Sequence, residues 1–422
     1  METVTERYNV MLFIFTIILG VLVGVSSGLL GILLNLVEKI FLNYNEVVRY
    51  PAPVNGIPIF RLYSVAVGGI ISAIIWWIIR EKYKKPISIN QALSGDKMPF
   101  ISTLIHVITQ IFYVGTGGSI GRELAPREAG TLIAQSFENR IRKLNILKLE
   151  LADRQLLLAA AAGAGFSGVY LAPITGALFS VELLLKKFTF RTVSISLLMT
   201  SVSMLIGGMF KGFKPYYIVN HTTFSGAGII IVLAFAPLMG IMGGLFRLMF
   251  QSAAKHKATG YNILWMLPLV SIATGIIAIY FPEIMGNGRS LMQLSVFSES
   301  HNMIVILFIG LILKMIVTLL TIRAGASGGT LTPSIAIGGS AGAIIGIICS
   351  WTFMPSISVD QMAILGAVTF LAASQQAPLM ALFMMIEITH IGYSWLLPMF
   401  LGVIVSLFFS RLPVSYTHLR AH

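Results

Sequence analysis

The sequence contains very little cysteine and very little charge. Cys349 is the only cysteine among 422 residues, which excludes a disulfide framework and a thiolate metal cluster. Charged residues make up only 11% of the chain, and only 16 residues are acidic. A soluble protein of this length needs far more polar surface, so the composition excludes a soluble globular protein.

Apolar residues dominate instead. They make up 56% of the chain, and the mean hydropathy is +0.87. The run from about Met11 to Leu33 is long enough to cross a hydrocarbon core of roughly 30 Å as a helix, and it is too long for a cleaved signal peptide. Several later apolar stretches are short or interrupted by glycine, as expected of helices that are shielded by protein or line a polar path. We therefore predict an all-α, polytopic membrane protein with many tilted and broken helices.

The charge that is present is mostly positive, with a formal net charge of +13. The basic residues lie in small groups between apolar segments, as at Arg80 to Lys85, Arg140 to Lys148 and Lys255 to Lys257. This distribution is typical of cytoplasmic loops, with membrane lipid as a partner. No aromatic-interleaved basic stripe accompanies the charge, which argues against nucleic acid. The absence of targeting signals and regulatory domains favours a prokaryotic inner membrane.

The polar interruptions are too short to form a soluble domain. We predict one membrane domain built from two halves, residues 1–190 and 191–413. The tail at 414–422 resembles translated adaptor sequence rather than native protein. Forty glycines are present, and some of them, such as Gly338 and Gly342, recur at four-residue spacing. We interpret these as positions where helices pack closely.

Two landmarks in the chain are repeated. The segment Gly121-Arg122-Glu123-Leu124-Ala125-Pro126 shares the pattern G-x-x-L-x-P with Gly328-Gly329-Thr330-Leu331-Thr332-Pro333. In the same way, Ala172-Pro173 with Glu182 returns as Ala377-Pro378 with Glu387. Two landmarks shifted by nearly the same distance indicate an internal duplication. In a membrane protein, glycine- and proline-interrupted segments at corresponding points of two halves indicate a transport site.

The repeated glycine-rich segments are suited to binding an anion. Residues 115–121 lead directly into a predicted helix, so several free backbone N–H groups point towards one spot. Residues 325–330 have the same makeup. If the halves are inverted relative to each other, the two helix N-termini meet near the middle of the bilayer. They would hold a partly dehydrated anion without a full positive charge that would trap it.

Glu123 is an ionisable residue in an otherwise apolar region, where a carboxylate is costly and is a functional candidate by default. The ionised side chain can occupy the anion site and leave it when protonated or displaced, which makes a gate linked to pH. The alternative is a structural role, in which Glu123 pairs with Arg122 or Arg127 and caps the helix. Glu128 fits that structural role better.

Together these residues resemble the CLC family of chloride channels and chloride/proton antiporters. The first segment is similar to the family motif G-[KR]-E-G-P, with Glu123 at the position of the gating glutamate. The second resembles G-x-F-x-P, with Gly329, Leu331 and Pro333 at the matching places. The resemblance extends from about residue 10 to about residue 410. It implies a CLC-like inverted-repeat bundle and a homodimer with one pathway per subunit. It also implies an anion site made of Gly121, Arg122, Glu123, Leu124, Gly329, Thr330 and Leu331.

The sequence departs from the family pattern in the wall of the expected pathway. Leu124 and Ala125 replace the single glycine between the glutamate and the proline, and Leu331 replaces the usual phenylalanine. The serine-bearing G-S-G-I-P segment of the family has no clear counterpart, and Ser88 is the nearest hydroxyl. The expected substrate is chloride. Because inner coordination can rest on the backbone alone, fluoride and nitrate are alternatives.

Two more departures concern protons and the C-terminus. Antiporters of the family usually carry an acidic residue just after the position of Glu182, and here that residue is Leu183. The missing relay favours a passive channel, and the alternative is an antiporter that also moves protons. Tyr416 takes the place of the family's anion-contacting tyrosine only if the tail is native.

Other functions fit the sequence less well. Gly325-Ala326-Ser327-Gly328-Gly329 matches G-x-S-x-G, the nucleophile elbow of hydrolases, but the elbow needs a preceding strand and residues 311–322 have the length of a helix. A cation pathway would need acidic residues or carbonyl rings that face the pore. The two repeated segments offer helix N-termini instead, and these repel cations. His106 and His390 have no second ligand four residues later, so we predict no metal or cofactor. We expect no enzymatic activity.

Overall fold

The computed structural model describes residues 2–46, 48–49, 51–53, 57–221, 224, 228–352 and 357–413, with side chains from Glu6 onward. Within these ranges all regular structure is helical, apart from one isolated two-residue bridge. The α-helices are α1 (Glu2–Leu42), α2 (Pro58–Glu81), α3 (Ile89–Leu93), α4 (Phe100–Gly115), α5 (Leu124–Lys143), α6 (Leu151–Tyr170), α7 (Pro173–Leu178), α8 (Phe190–Lys211), α9 (Gly228–Lys255), α10 (Ile263–Tyr280), α11 (Arg289–Phe297), α12 (Met303–Arg323), α13 (Leu331–Thr352), α14 (Val359–Gln375), α15 (Pro378–Thr389) and α16 (Leu396–Phe409). A π-helical turn spans Phe179–Leu185, and 3-10 turns span Gly260–Asn262, Pro282–Ile284 and Tyr393–Trp395.

Helix length and composition confirm the prediction of a multi-pass membrane protein. Seven described segments are long and apolar enough to cross a bilayer, and they contain α1, α2, α8, α9, α10, α12 and α13. Four shorter apolar segments accompany them, at Phe100–Gly115, Pro173–Leu185, Pro378–Thr389 and Tyr393–Phe409. These are the short and broken helices that the sequence predicted.

The chain forms two compact units. The first consists of Met1–Leu33, Ile78–Ile111 and Glu123–Lys214, and the second of Leu34–Trp77, Phe112–Arg122 and Pro215–His422. These units alternate along the chain and are defined by packing, whereas the halves at 1–190 and 191–413 were inferred from the repeat. The halves stay a prediction, and the tail at 414–422 lies outside the described residues.

Glycine permits close helix packing inside each unit. In the first unit, a Cβ atom added to Gly165 of α6 would overlap the carbonyl of Pro126 in α5. In the second unit, α13 packs along α14, and a Cβ added to Gly366 would lie 2.7 Å from the Cα of Gly342. Backbones at this separation leave no space for a side chain. The predicted packing role of the glycines at four-residue spacing in α13 is therefore correct.

The backbone repeats where the sequence repeats. Leu171 and Gln376 both adopt the left-handed conformation, with φ of 57° and 56°, although neither is glycine. Each is followed by an alanine of nearly the same geometry: φ −126° and ψ 76° at Ala172, and φ −134° and ψ 81° at Ala377. A helix that starts with proline then follows, α7 in one copy and α15 in the other. This agreement confirms the internal duplication.

Candidate functional site

The two glycine-rich segments pair with each other through their backbones. The N–H of Gly121 donates to the carbonyl of Gly329 at 2.9 Å, and the N–H of Gly329 donates to the carbonyl of Gly121 at 2.8 Å. These two hydrogen bonds form the one isolated antiparallel β-bridge among the described residues, and the bridge lies within the second unit. Four residues before each bridging glycine, Gly117 and Gly325 turn the chain with φ of 103° and 112°. A side chain is strongly disfavoured at such angles, which explains glycine at both positions.

The bridge shifts the correspondence between the two repeated segments by one residue from the one that the motif gives. The shared motif pairs Gly121 with Gly328, whereas the hydrogen bonds pair it with Gly329. The first copy has one more residue between the bridging glycine and the proline. Because α5 begins at Leu124 and α13 at Leu331, Glu123 and Thr330 are the residues that immediately precede the two helices.

Helix starts of this kind carry partial positive charge. The first N–H groups of a helix have no acceptor within the helix, and the aligned peptide dipoles add to their effect. At the start of α13, Thr330 and Leu331 are buried, and the side chain of Gln375 donates to the Thr330 hydroxyl at 3.3 Å. At the start of α5, Leu124 is half-buried. Such groups stabilise anions by hydrogen bonding without a formal charge.

Glu123 is completely buried at the start of α5, in the first unit. Its backbone carbonyl accepts a hydrogen bond of 2.7 Å from Nε of Arg127, whose guanidinium lies 4.7 Å from the ring centre of Phe179. Glu123 occupies the cap position, but its carboxylate makes no capping hydrogen bond to α5. The capping part of the structural alternative is therefore wrong.

Glu128 has the structural surroundings that the sequence predicted for it. Oε2 of Glu128 accepts a hydrogen bond of 2.6 Å from the Gln110 side chain, and Nε2 of His106 lies 3.6 Å away. All three side chains are buried in the first unit. The polar groups of α4 and α5 thus bind one another inside an apolar bundle.

The side chain of Arg122 belongs to a charged cluster that the sequence did not reveal. Its guanidinium lies 3.4 Å from a carboxylate oxygen of Glu46 and donates to the Tyr216 hydroxyl at 3.1 Å. Arg289 lies 2.9 Å from the other carboxylate oxygen of Glu46, and both guanidinium groups lie over the Tyr216 ring. Burial alone would raise the pKa of Glu46, but Arg289 and Arg122 more than offset it and hold the pKa below its ordinary value. These residues are far apart in the chain, and no motif connects them.

This cluster lines a small cavity beside the first glycine-rich segment. The cavity is lined by Glu38, Glu46, Arg122, Asn287 and Ser290 among others. Oε2 of Glu38 is buried and makes no hydrogen bond to the described residues. A carboxylate oxygen in such a place is usually satisfied by water or a proton.

The remaining candidates lie elsewhere. Ser88 is exposed and caps α3, where its hydroxyl oxygen accepts a hydrogen bond of 3.3 Å from the N–H of Gln91. Leu183 lies in the π-helical turn Phe179–Leu185, and Tyr416 lies outside the described residues. Helix α12, rather than a strand, precedes Ser327, so the geometry of a hydrolase elbow is not present there.

The chain is similar in sequence to known proteins. Residues 68–411 match a family model described as voltage gated chloride channel. The chain is 27% identical over 396 residues to a voltage-gated ClC-type chloride channel, ClcB, of Salmonella typhimurium, covering 90% of this chain and 91% of the relative. A ClcB of Citrobacter koseri is also 27% identical, over 389 residues, covering 88% of this chain and 89% of the relative.

Solved structures share the fold. A slow cyanobacterial Cl−/H+ antiporter aligns with a TM-score of 0.79 at 20% identity, covering 95% of this chain and 94% of its own. A CLC-type fluoride/proton antiporter aligns with a TM-score of 0.66 at 18% identity, with 95% of each chain covered. These likenesses show an all-helical fold of the CLC type.

Proposed function

Because the chain belongs to the voltage gated chloride channel family, we propose that it moves small anions, chloride first, across a membrane along a path built on its two glycine-rich segments. The observation that carries this proposal is the double hydrogen bond between Gly121 and Gly329. It fixes two equivalent segments that each lead into a helix N-terminus. Backbone N–H groups at such points bind an anion weakly enough for it to leave again.

The proposed anion-binding residues are the two bridging glycines and the residues that follow each of them in the chain. They are Gly121, Arg122, Glu123, Leu124, Gly329, Thr330 and Leu331. The backbone supplies most of the donors, and the side chain of Arg122 acts indirectly because it is engaged by Glu46 and Tyr216. Ser88 is not included, since its hydroxyl is exposed and caps α3.

Glu123 is the proposed gate. A completely buried carboxylate is costly unless it is neutralised or balanced by donors. In its ionised form it competes electrostatically with an anion for the positive end of α5, and in its protonated form it does not. Transport is therefore linked to pH through this one side chain.

A passive channel is the favoured mechanism, and a proton-coupled antiporter is the alternative. Leu183 cannot carry a proton, which supports a channel, and the relatives named ClcB are described as channels. Two structural neighbours are described as antiporters, one of Cl− and one of fluoride. The antiporter and the alternative anions fluoride and nitrate are therefore tested in the same experiment.

We further propose a homodimer, contacts with membrane lipid and residence in a prokaryotic inner membrane.

The experiment is anion efflux from proteoliposomes containing the full chain, with external pH recorded at the same time. Chloride efflux without proton movement supports the channel, whereas proton movement in fixed ratio to chloride supports the antiporter. Replacing chloride with fluoride or nitrate in parallel vesicles ranks the substrates. If none of these anions leaves faster than from empty vesicles, the proposal is wrong.

A further inference from the structure

Each glycine-rich segment carries a serine at the same position, two residues before its bridging glycine. Ser119 precedes Gly121, and Ser327 precedes Gly329. Each serine hydroxyl accepts a hydrogen bond from a lysine. The Lys314 ammonium lies 2.9 Å from Oγ of Ser119, and the Lys257 ammonium lies 2.6 Å from Oγ of Ser327. All of these residues belong to the second unit.

The two lysines differ in their access to water. Lys314 is in the apolar helix α12 and is completely buried, and its ammonium also donates to the carbonyls of Ile284 at 3.0 Å and Gly286 at 2.7 Å. Lys257 is half-buried and follows the C-terminal end of α9. Lys314 is thus enclosed by protein, whereas Lys257 is partly exposed to solvent.

The loop that carries Lys257 is fixed against the second glycine-rich segment. The N–H of Ala258 donates to the carbonyl of Arg323 at 2.8 Å. At Gly325 an added Cβ would lie 3.3 Å from the carbonyl of Ala258 and 2.6 Å from the side chain of Ile263. This packing keeps Lys257 beside Ser327, so its charge has a defined position. The charge of a lysine on an unrestrained loop would instead be spread over many positions.

We infer that Lys257 is the residue that draws anions to the second glycine-rich segment, and that it thereby sets the rate at which they enter. The inference rests on the proposed function. The backbone donors of the segment carry only partial charges, whereas a half-buried ammonium carries a full one. Because water reaches it, Lys257 attracts anions without holding them as a dry ion pair would. Lys314 has the equivalent contact in the first segment and, being enclosed, positions that segment.

The test uses the full chain in proteoliposomes, in a Cys349→Ser background, with impermeant potassium glutamate setting the ionic strength. Lys257→Met is expected to lower the initial chloride efflux rate roughly three- to tenfold at low ionic strength, and less at high ionic strength. Lys257→Arg should keep an initial efflux rate close to that of the parent. The matched control is Lys255→Met, because Lys255 is exposed at the end of α9, two residues before Lys257, and carries the same charge. The efflux rate of Lys255→Met should also be close to that of the parent.

A thiol variant separates charge from structure. In Lys257→Cys, a methanethiosulfonate reagent bearing a trimethylammonium group should restore efflux, and a reagent of similar size bearing a sulfonate should lower it further. The inference is overturned if Lys257→Met and Lys255→Met behave alike. It is also overturned if the cationic and anionic reagents have the same effect. Absence of anion efflux from the parent protein would refute the proposed function itself, which is a different outcome.

Discussion

Gly121 and Gly329 exchange two backbone hydrogen bonds, of 2.9 and 2.8 Å, and so join the equivalent segments of the two repeats. Each partner is followed within three residues by the start of a helix, α5 or α13. The bridge therefore sets the position of the residues that lead into both helix N-termini. A shift of either segment would move the donors on which the proposed anion path depends.

Gly328→Ala should disturb this bridge. The added Cβ would lie 2.6 Å from Cγ1 of Ile120 and 2.8 Å from the carbonyl of Gly121, and backbone atoms at that distance cannot easily move away. We expect a loss of about 1–3 kcal/mol in the free energy of unfolding. Slower chloride efflux should accompany it. Thermal unfolding in detergent and efflux from vesicles measure the two effects.

Gly31→Ala is the control for Gly328→Ala. Nothing lies within 4 Å of a Cβ added at Gly31, which is in α1. Because alanine favours helix more than glycine, this variant should be as stable as the parent or slightly more stable, with normal efflux. Equal behaviour of the two variants would show that the bridge tolerates displacement.

Glu46→Gln should destabilise the protein at neutral pH, because it leaves Arg122 and Arg289 without the carboxylate that lies between them. Removing one partner of a buried ion pair costs on the order of 3 kcal/mol. The pKa of Glu46 is lowered in the folded protein, so its stabilising contribution is complete above the ordinary carboxyl value of about 4.3. This contribution is lost as pH falls from there towards the lowered pKa.

The measurement is the difference in melting temperature between Glu46→Gln and the parent, followed from pH 7 to strongly acidic pH. This difference should shrink on acidification. Glu6→Gln is the control, since Glu6 is exposed and its substitution should change little at any pH. A difference for Glu46→Gln that is constant with pH would contradict the ion-pair explanation.

Ser88→Ala should leave anion preference unchanged, because Ser88 is exposed and its hydroxyl caps α3. Loss of a cap of this kind costs about 1 kcal/mol of stability. The relative efflux rates of chloride, fluoride and nitrate should equal those of the parent. A changed order among the three anions would place Ser88 in the pathway after all.

Much of the fold could be predicted because its causes are local in the sequence. Apolar runs predicted the membrane helices, and the repeated Ala-Pro landmark predicted the internal duplication. The structure shows this duplication in two helices that begin in the same way at Pro173 and Pro378. The four-residue spacing of glycines predicted close helix packing, which the structure shows between α13 and α14. The structure adds one correction, which pairs Gly121 with Gly329 rather than with Gly328.

The charged surroundings of the site could not be predicted in the same way. Glu46, Tyr216 and Arg289 meet Arg122 only through tertiary packing, and each looks like an ordinary loop residue in the sequence. Lys314 did have a visible signal, namely a single charge inside a long apolar helix. Its contact with Ser119 depends on the fold and has no counterpart in sequence spacing.

The most direct test of the central claim is the pH dependence of chloride efflux in the parent and in Glu123→Ala, measured in the same vesicles between pH 4.5 and 7.5. The account predicts that efflux by the parent rises on acidification, because the pH-linked gate at Glu123 opens. It predicts that efflux by Glu123→Ala is at least as fast as the parent's acid rate and does not depend on pH. A Glu123→Ala protein that keeps the parent's pH profile would contradict the claim that this carboxylate is the gate.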